Sequence, residues 1–66
     1  MTITNAVLVV YRKNKESAQG NMALLYAGVC QEMNVTDPST APNPDSVYRI
    51  GRRFRQYGLN LWGGKS

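Results

Sequence analysis

The chain contains no histidine and a single cysteine among its 66 residues. Without histidine, no side chain has an unperturbed charge change near neutral pH, and the ordinary acid–base relay is missing. The lone Cys30 excludes an internal disulfide and points to a reducing compartment. It sits in an apolar stretch with no activating base beside it and reads as an inert core thiol. One cysteine and no histidine cannot assemble a zinc site. The four acids, Glu16, Glu32, Asp37 and Asp45, are scattered and form no carboxylate dyad. No glycine-rich phosphate loop occurs, since Gly63 and Gly64 open no helix. Together these absences predict no enzyme, no metal and no cofactor.

Long apolar runs are also missing. None exceeds six residues, the length of Ala6 to Tyr11, against the roughly 20 that cross a bilayer. No signal-peptide pattern precedes it. The expectation is a soluble, cytoplasmic protein with no membrane partner. A chain this short forms one small domain, residues 1–66, and buries only about 60% of its unfolded surface.

What is present is charge, and it is segregated. Residues 1–15 carry Arg12, Lys13 and Lys15 and no acid; residues 16–45 carry all four acids and no base. Residues 46–66 carry Arg49, Arg52, Arg53, Arg55 and Lys65 and no acid. The three segments therefore have net charges of +3, −4 and +5. Two basic ends around an acidic middle suit a polyanionic partner, although complementarity between the segments themselves is the plainer alternative.

The three prolines all fall between Pro38 and Pro44. They exclude a helix interior or central strand there and mark residues 35–43 as a loop. Before the loop, Met22, Leu25, Tyr26, Val29 and Met33 recur at helical spacing, predicting a helix over about 21–34. Its remaining circumference is apolar or small, so it is expected in the middle of the domain. Asn21 suits its N-cap, with a start near Asn14 or Ser17 as the alternative. Residues 3–14 fit two readings. As a helix, Ile3, Ala6, Val7 and Val10 line one face with Thr4 or Asn5 as cap. As a strand, the valines and Tyr11 fit β propensity, but both faces would then need covering, which so short a chain can hardly supply. The helix is the reading adopted.

After the loop, Asn43, Pro44 and Asp45 form a strong helix start. Val47, Ile50, Phe54 and Tyr57 make one narrow apolar stripe, with Gly51 at its edge as a place for close helix approach. Gly58 is placed to end the helix in a left-handed conformation, giving a basic helix over about 44–57. Arg52 then points away from the stripe, Tyr48, Arg49 and Gln56 flank it, and Arg53 and Arg55 take the shoulders. Such a face has what major-groove recognition needs: Arg for guanine edges, Gln for adenine edges, and further arginines for phosphates. Exposed arginines on a helix are usually only solvated. Four within seven residues, in a segment without acids, repel one another at a few tenths of a kcal/mol per pair. An acidic or polyanionic partner would relieve that repulsion; Glu32 or Asp37 of the same chain could do so instead.

The stretch SVYRIGRRFRQYGLNLW resembles the recognition helix and first wing strand of winged helix-turn-helix proteins, of the kind found in small phage and prophage regulators. Ser46, Arg49, Phe54, Gly58, Leu59 and Leu61 occupy the positions of that pattern. The resemblance implies a mainly α, three-helix winged-helix-like domain with a short C-terminal strand or truncated wing over 59–66. It implies a transcriptional regulator or architectural factor acting in the bacterial host cytoplasm and binding double-stranded DNA. Tyr48, Arg49, Arg52 and Gln56 would face the groove, while Arg53, Arg55, Arg12, Lys13 and Lys15 would hold phosphates. One short helix makes few contacts, so specific binding calls for a homodimer.

The chain departs from that family in two places: about ten residues separate Asn34 from Asp45, and no return strand fits after Trp62. These departures sustain an alternative, a phage-encoded interaction module. It would inhibit a host or phage protein, as an antirepressor or host-defence inhibitor, by setting Arg49, Arg52 and Trp62 on an acidic protein surface. Trp62 packing over the core edge is the plainer role for that side chain.

Overall fold

A computed structural model describes residues 1–63. Helix α1 spans Ile3–Lys13, α2 Lys15–Ala18, α3 Met22–Glu32, α4 Pro44–Arg53 and α5 Arg55–Leu61, with a 3-10 turn at Pro38–Thr40. The protein is mainly α, and no strand occurs among the described residues. None of these helices is long and apolar enough to cross a membrane.

Local chemistry explains most of the boundaries. Thr2, rather than Thr4 or Asn5, caps α1, its hydroxyl accepting from the Asn5 N–H at 3.1 Å. Asn14 ends α1 and starts the four-residue α2, accepting from the Glu16 N–H at 3.0 Å. Asn21 caps α3 through the Leu24 N–H at 3.1 Å. Asn34 closes α3 in the left-handed region at φ 56°. Around it, the Val35 N–H reaches the Cys30 carbonyl and the Asn34 N–H reaches the Gln31 carbonyl, the pairing of a Schellman ending. Asn43 and Pro44 open α4 as their chemistry predicts, with Asn43 accepting from the Asp45 N–H at 2.8 Å. The proline loop is tied down at both ends. Asp37 accepts from the Ser39 N–H at 3.0 Å, and the Tyr26 hydroxyl donates to the Pro42 carbonyl at 2.8 Å.

The core is built from α1, α3 and α4. Ala6, Val7, Val10 and Tyr11 of α1, Leu25 and Val29 of α3, Ala18 of α2 and Val47 of α4 are buried. Ile3, Met22, Tyr26, Met33, Tyr48, Ile50 and Phe54 pack around them. Helix α3 lies against α1, α2 and α4, which is the central position expected of it, although Ala23 and Ala27 are exposed.

Tyr11 connects the first helix to the last two. Its ring is buried and its hydroxyl donates to the Gly51 carbonyl at 2.6 Å. That carbonyl belongs to the last turn of α4, where carbonyls lose their intrahelical partners. The same residue's carbonyl accepts from Trp62 Nε1. Two glycines make this approach possible. A Cβ at Gly58 would lie 2.9 Å from two ring carbons of Tyr11 and 3.0 Å from the Ala18 Cβ. A Cβ at Gly51 would lie 2.5 Å from the Leu25 Cδ2 and 3.1 Å from the Tyr11 hydroxyl.

This arrangement corrects the reading of the C-terminal third. Gly58 does not end a helix; it sits buried inside α5, because what it contributes is room for the Tyr11 ring. The basic helix is interrupted for one residue at Phe54 and runs on to Leu61. Residues 59–61, expected as the start of a wing strand, are therefore helical. Trp62 and Gly63 form a turn, and Gly64 to Ser66, the last part of that expected strand, lie outside the described residues. The buried seam also moves. Val47, Gly51 and Gly58 are buried, whereas Tyr57, placed on the apolar stripe from its spacing, is 39% exposed.

Gly→Ala inside a helix ordinarily stabilises by about 1 kcal/mol. Gly58→Ala should instead lower stability by about 1–3 kcal/mol, because a ring and a Cβ must give way. Tyr11→Phe should cost a similar amount by stripping the Gly51 carbonyl of its donor. Urea denaturation monitored by circular dichroism measures both.

Candidate nucleic-acid interface

Moving the seam turns the opposite face with it. At about 100° per residue, the residues facing away from Val47, Gly51 and Gly58 are Arg49, Arg53, Gln56 and Asn60. All four are exposed. They follow one another at i, i+4, i+7 and i+11 across the Phe54 interruption and form a single polar strip. Within it, the Gln56 side-chain amide donates to Asn60 Oδ1 at 3.1 Å. The Arg53 guanidinium lies 5.9 Å from the centre of the Phe54 ring, a distance at which cation–π attraction operates.

Arg52 and Arg55 lie on one shoulder of the same rod. Both are exposed, and both line a cleft of about 340 Å³ beside Tyr11, Ala18 and Gly20. Arg52, read from spacing as the residue opposite the core, thus leans toward α2, and Arg49 and Arg53 hold the outermost positions.

Among the described residues, none of the four arginines forms an ion pair. The one salt bridge among the described residues joins Lys13 Nζ to Glu32 Oε2 at 2.9 Å. Asp45 precedes Arg49 by four residues on α4, yet the two do not pair within 4 Å. The chain's own acids therefore do not neutralise the arginines, which was the alternative considered for Glu32 and Asp37. At the end of α1 and in α2, Arg12 and Lys15 are exposed and without an ion pair among the described residues. Lys13, expected as a phosphate contact, is already engaged with Glu32.

Tyr48 is not among the outward residues. It is half-buried against the core, with its ring 6.3 Å from that of Tyr26 and edge-on to it. Trp62 has a divided role: its indole N–H is bound to the Tyr11 carbonyl while 40% of the residue stays exposed. With Tyr57 and Leu61, 39% and 42% exposed, it forms an apolar end to α5 that the spacing argument missed. The i, i+4 relation of Tyr57 to Leu61 was the available signal, hidden by the expectation of a strand.

Comparison with protein-family models, with curated proteins and with solved structures finds no match. Function must therefore be argued from the geometry of this face.

Electrostatics links the face to the core through Tyr11. Burial raises its phenol above the ordinary value of 10.0, and the nearby Arg55 charge partly opposes that rise. Because the folded state holds the proton more tightly than the unfolded chain, the stabilisation is complete below pH 10 and is lost as pH climbs through the folded value. Thermal unfolding followed between pH 8 and 12 should show a fall in Tm above about pH 10. The fall should be shallower in Tyr11→Phe, which has no phenol at that position to ionise.

Proposed function

We propose that this protein binds double-stranded DNA as a small regulator or architectural factor of phage type. Arg49, Arg53 and Gln56 are presented to the duplex, with Arg52, Arg55, Arg12 and Lys15 holding phosphates at its sides. The observation that supports this reading is the bare cationic surface of α4 and α5: four arginines on either side of the Phe54 interruption, exposed and without a carboxylate partner among the described residues. Like charges held so close are relieved by a polyanion, and counterion release from DNA supplies the driving force. Arg and Gln side by side on an outward helix face carry the donor geometry that base edges accept. The resemblance of α4 to the recognition helix of winged helix-turn-helix proteins agrees with this, but the reading does not need a wing. A homodimer would double the contacts of one short rod.

A second reading follows from the exposed Tyr57, Leu61 and Trp62 beside these arginines. Aromatic side chains and arginine together are the usual anchors of a protein interface. On this reading the same surface inhibits an acidic protein.

Salt dependence separates the two. Binding to a random duplex through about four phosphates predicts a log–log slope of about −3 to −4. In the double variant Arg12→Gln/Lys15→Gln, which removes two of the phosphate contacts, the slope should become shallower by about 2. Absence of duplex binding at about 50 mM salt, where non-specific contacts are strong, would overturn the DNA reading and leave the protein partner.

A further inference from the structure

The cleft on the shoulder of the rod has features that duplex binding does not account for. It lies between α2, the start of α3 and the α4–α5 junction. Ala18, Gly20, Met22 and Gly51 form its apolar walls, and Arg52 and Arg55 supply its charge. Its volume of about 340 Å³ is at the lower end of the range for small-molecule sites. The two hydroxyls in the wall are already donating: Tyr11 to the Gly51 carbonyl, and Ser17 to the Asn14 carbonyl at 2.6 Å. The guanidinium groups are thus the free donors of the cleft. Gly20, at φ +103°, turns the chain between α2 and α3, and a Cβ there would lie 3.5 Å from the Arg55 Nη2. The Arg55 side chain therefore lies across that turn, at the edge of the cleft.

We infer that this cleft binds a small phosphomonoester of nucleotide size. Two guanidinium charges, without carboxylate partners among the described residues, converge on one concave, largely apolar site. A carboxylate would neutralise only one of them. A phosphomonoester carries a charge of about −1.5 to −2 at neutral pH and three acceptor oxygens, and arginine binds such groups bidentately. The apolar walls then cover the organic body of the ligand, which inorganic phosphate lacks. The inference concerns the free protein and stands whether or not the duplex reading does.

The test is calorimetric titration of the full chain with 5′-AMP, adenosine and inorganic phosphate, without DNA. Saturable 5′-AMP binding is expected, with adenosine and inorganic phosphate each at least about tenfold weaker. Arg55→Gln and Arg52→Gln should each weaken 5′-AMP at least about tenfold, while Arg53→Gln, the same charge change outside the cleft, stays within about twofold. Circular dichroism checks that each variant is folded. In the supporting case, displacement of 5′-AMP by a 5′-phosphorylated but not a 5′-hydroxyl tetranucleotide assigns the phosphate to a strand end, and no displacement assigns it to a free nucleotide. The inference is overturned by no saturation at about 10 mM 5′-AMP, by equal losses in all three variants, or by inorganic phosphate binding as tightly as 5′-AMP.

Discussion

The contact on which the rest depends is the insertion of Tyr11 between α4 and α5. A buried phenol donates to a helix-end carbonyl at Gly51, its ring fills the space left by Gly58, and its own carbonyl holds the Trp62 indole. Three attachments, at Gly51, Gly58 and Trp62, fix the rotation of the C-terminal rod about its axis. That rotation decides which side chains are buried and which are left bare. Were the rod turned by about 60°, onto the stripe of Ile50, Phe54 and Tyr57, Arg52 would become outermost and Gly58 would leave the centre of the seam for its flank.

So small a protein has little core with which to do this. Its fully buried side chains are few and mostly small, and chains of this size bury a modest share of their surface. Close approach at glycine therefore matters more than apolar area. The valines of α1 follow the same logic, since a Cβ at Gly28 would lie 2.8 Å from a Val10 methyl. The cost of packing through glycine is conformational entropy, offset by the hydrogen bond and contacts that the approach permits. A consequence for function is that the polar side of the rod needs no acids to stabilise it: its attachment is made on the other side, and its arginines form no ion pair among the described residues.

Much of this was legible in the sequence. The caps Asn21 and Asn43, the prolines and the spacing of apolar residues located α1, α3 and the start of α4, because these signals act within a few residues. The exposure of Arg49, Arg52, Arg53, Arg55 and Gln56 followed from the same spacing, as did Gly51 as a point of close approach. What was not legible depends on distant partners. Gly58 after an aromatic residue has the appearance of a helix end, and only the Tyr11 ring, 47 positions earlier, shows why it continues a helix. The misplaced seam, the helical residues 59–61 and the inward turn of Tyr48 all follow from that one long-range contact. Asn14 was legible as an alternative helix start, but it opens a separate four-residue α2, because Gly20 at φ 103° turns the chain before α3 and four residues leave no periodicity to read.

The central claim is that this rod presents its cationic side, free of the protein's own acids, to a nucleic-acid duplex. Titration of the 15N-labelled protein with a short duplex, following backbone amide and arginine Nε resonances, tests it most directly. The account predicts shifts concentrated at Arg49, Arg53, Gln56 and Asn60, with smaller ones at Arg12 and Lys15 and little change at Ala23 and Ala27 on the far side of α3. Shifts absent from the α4–α5 strip, or clustered on α3 instead, would contradict it.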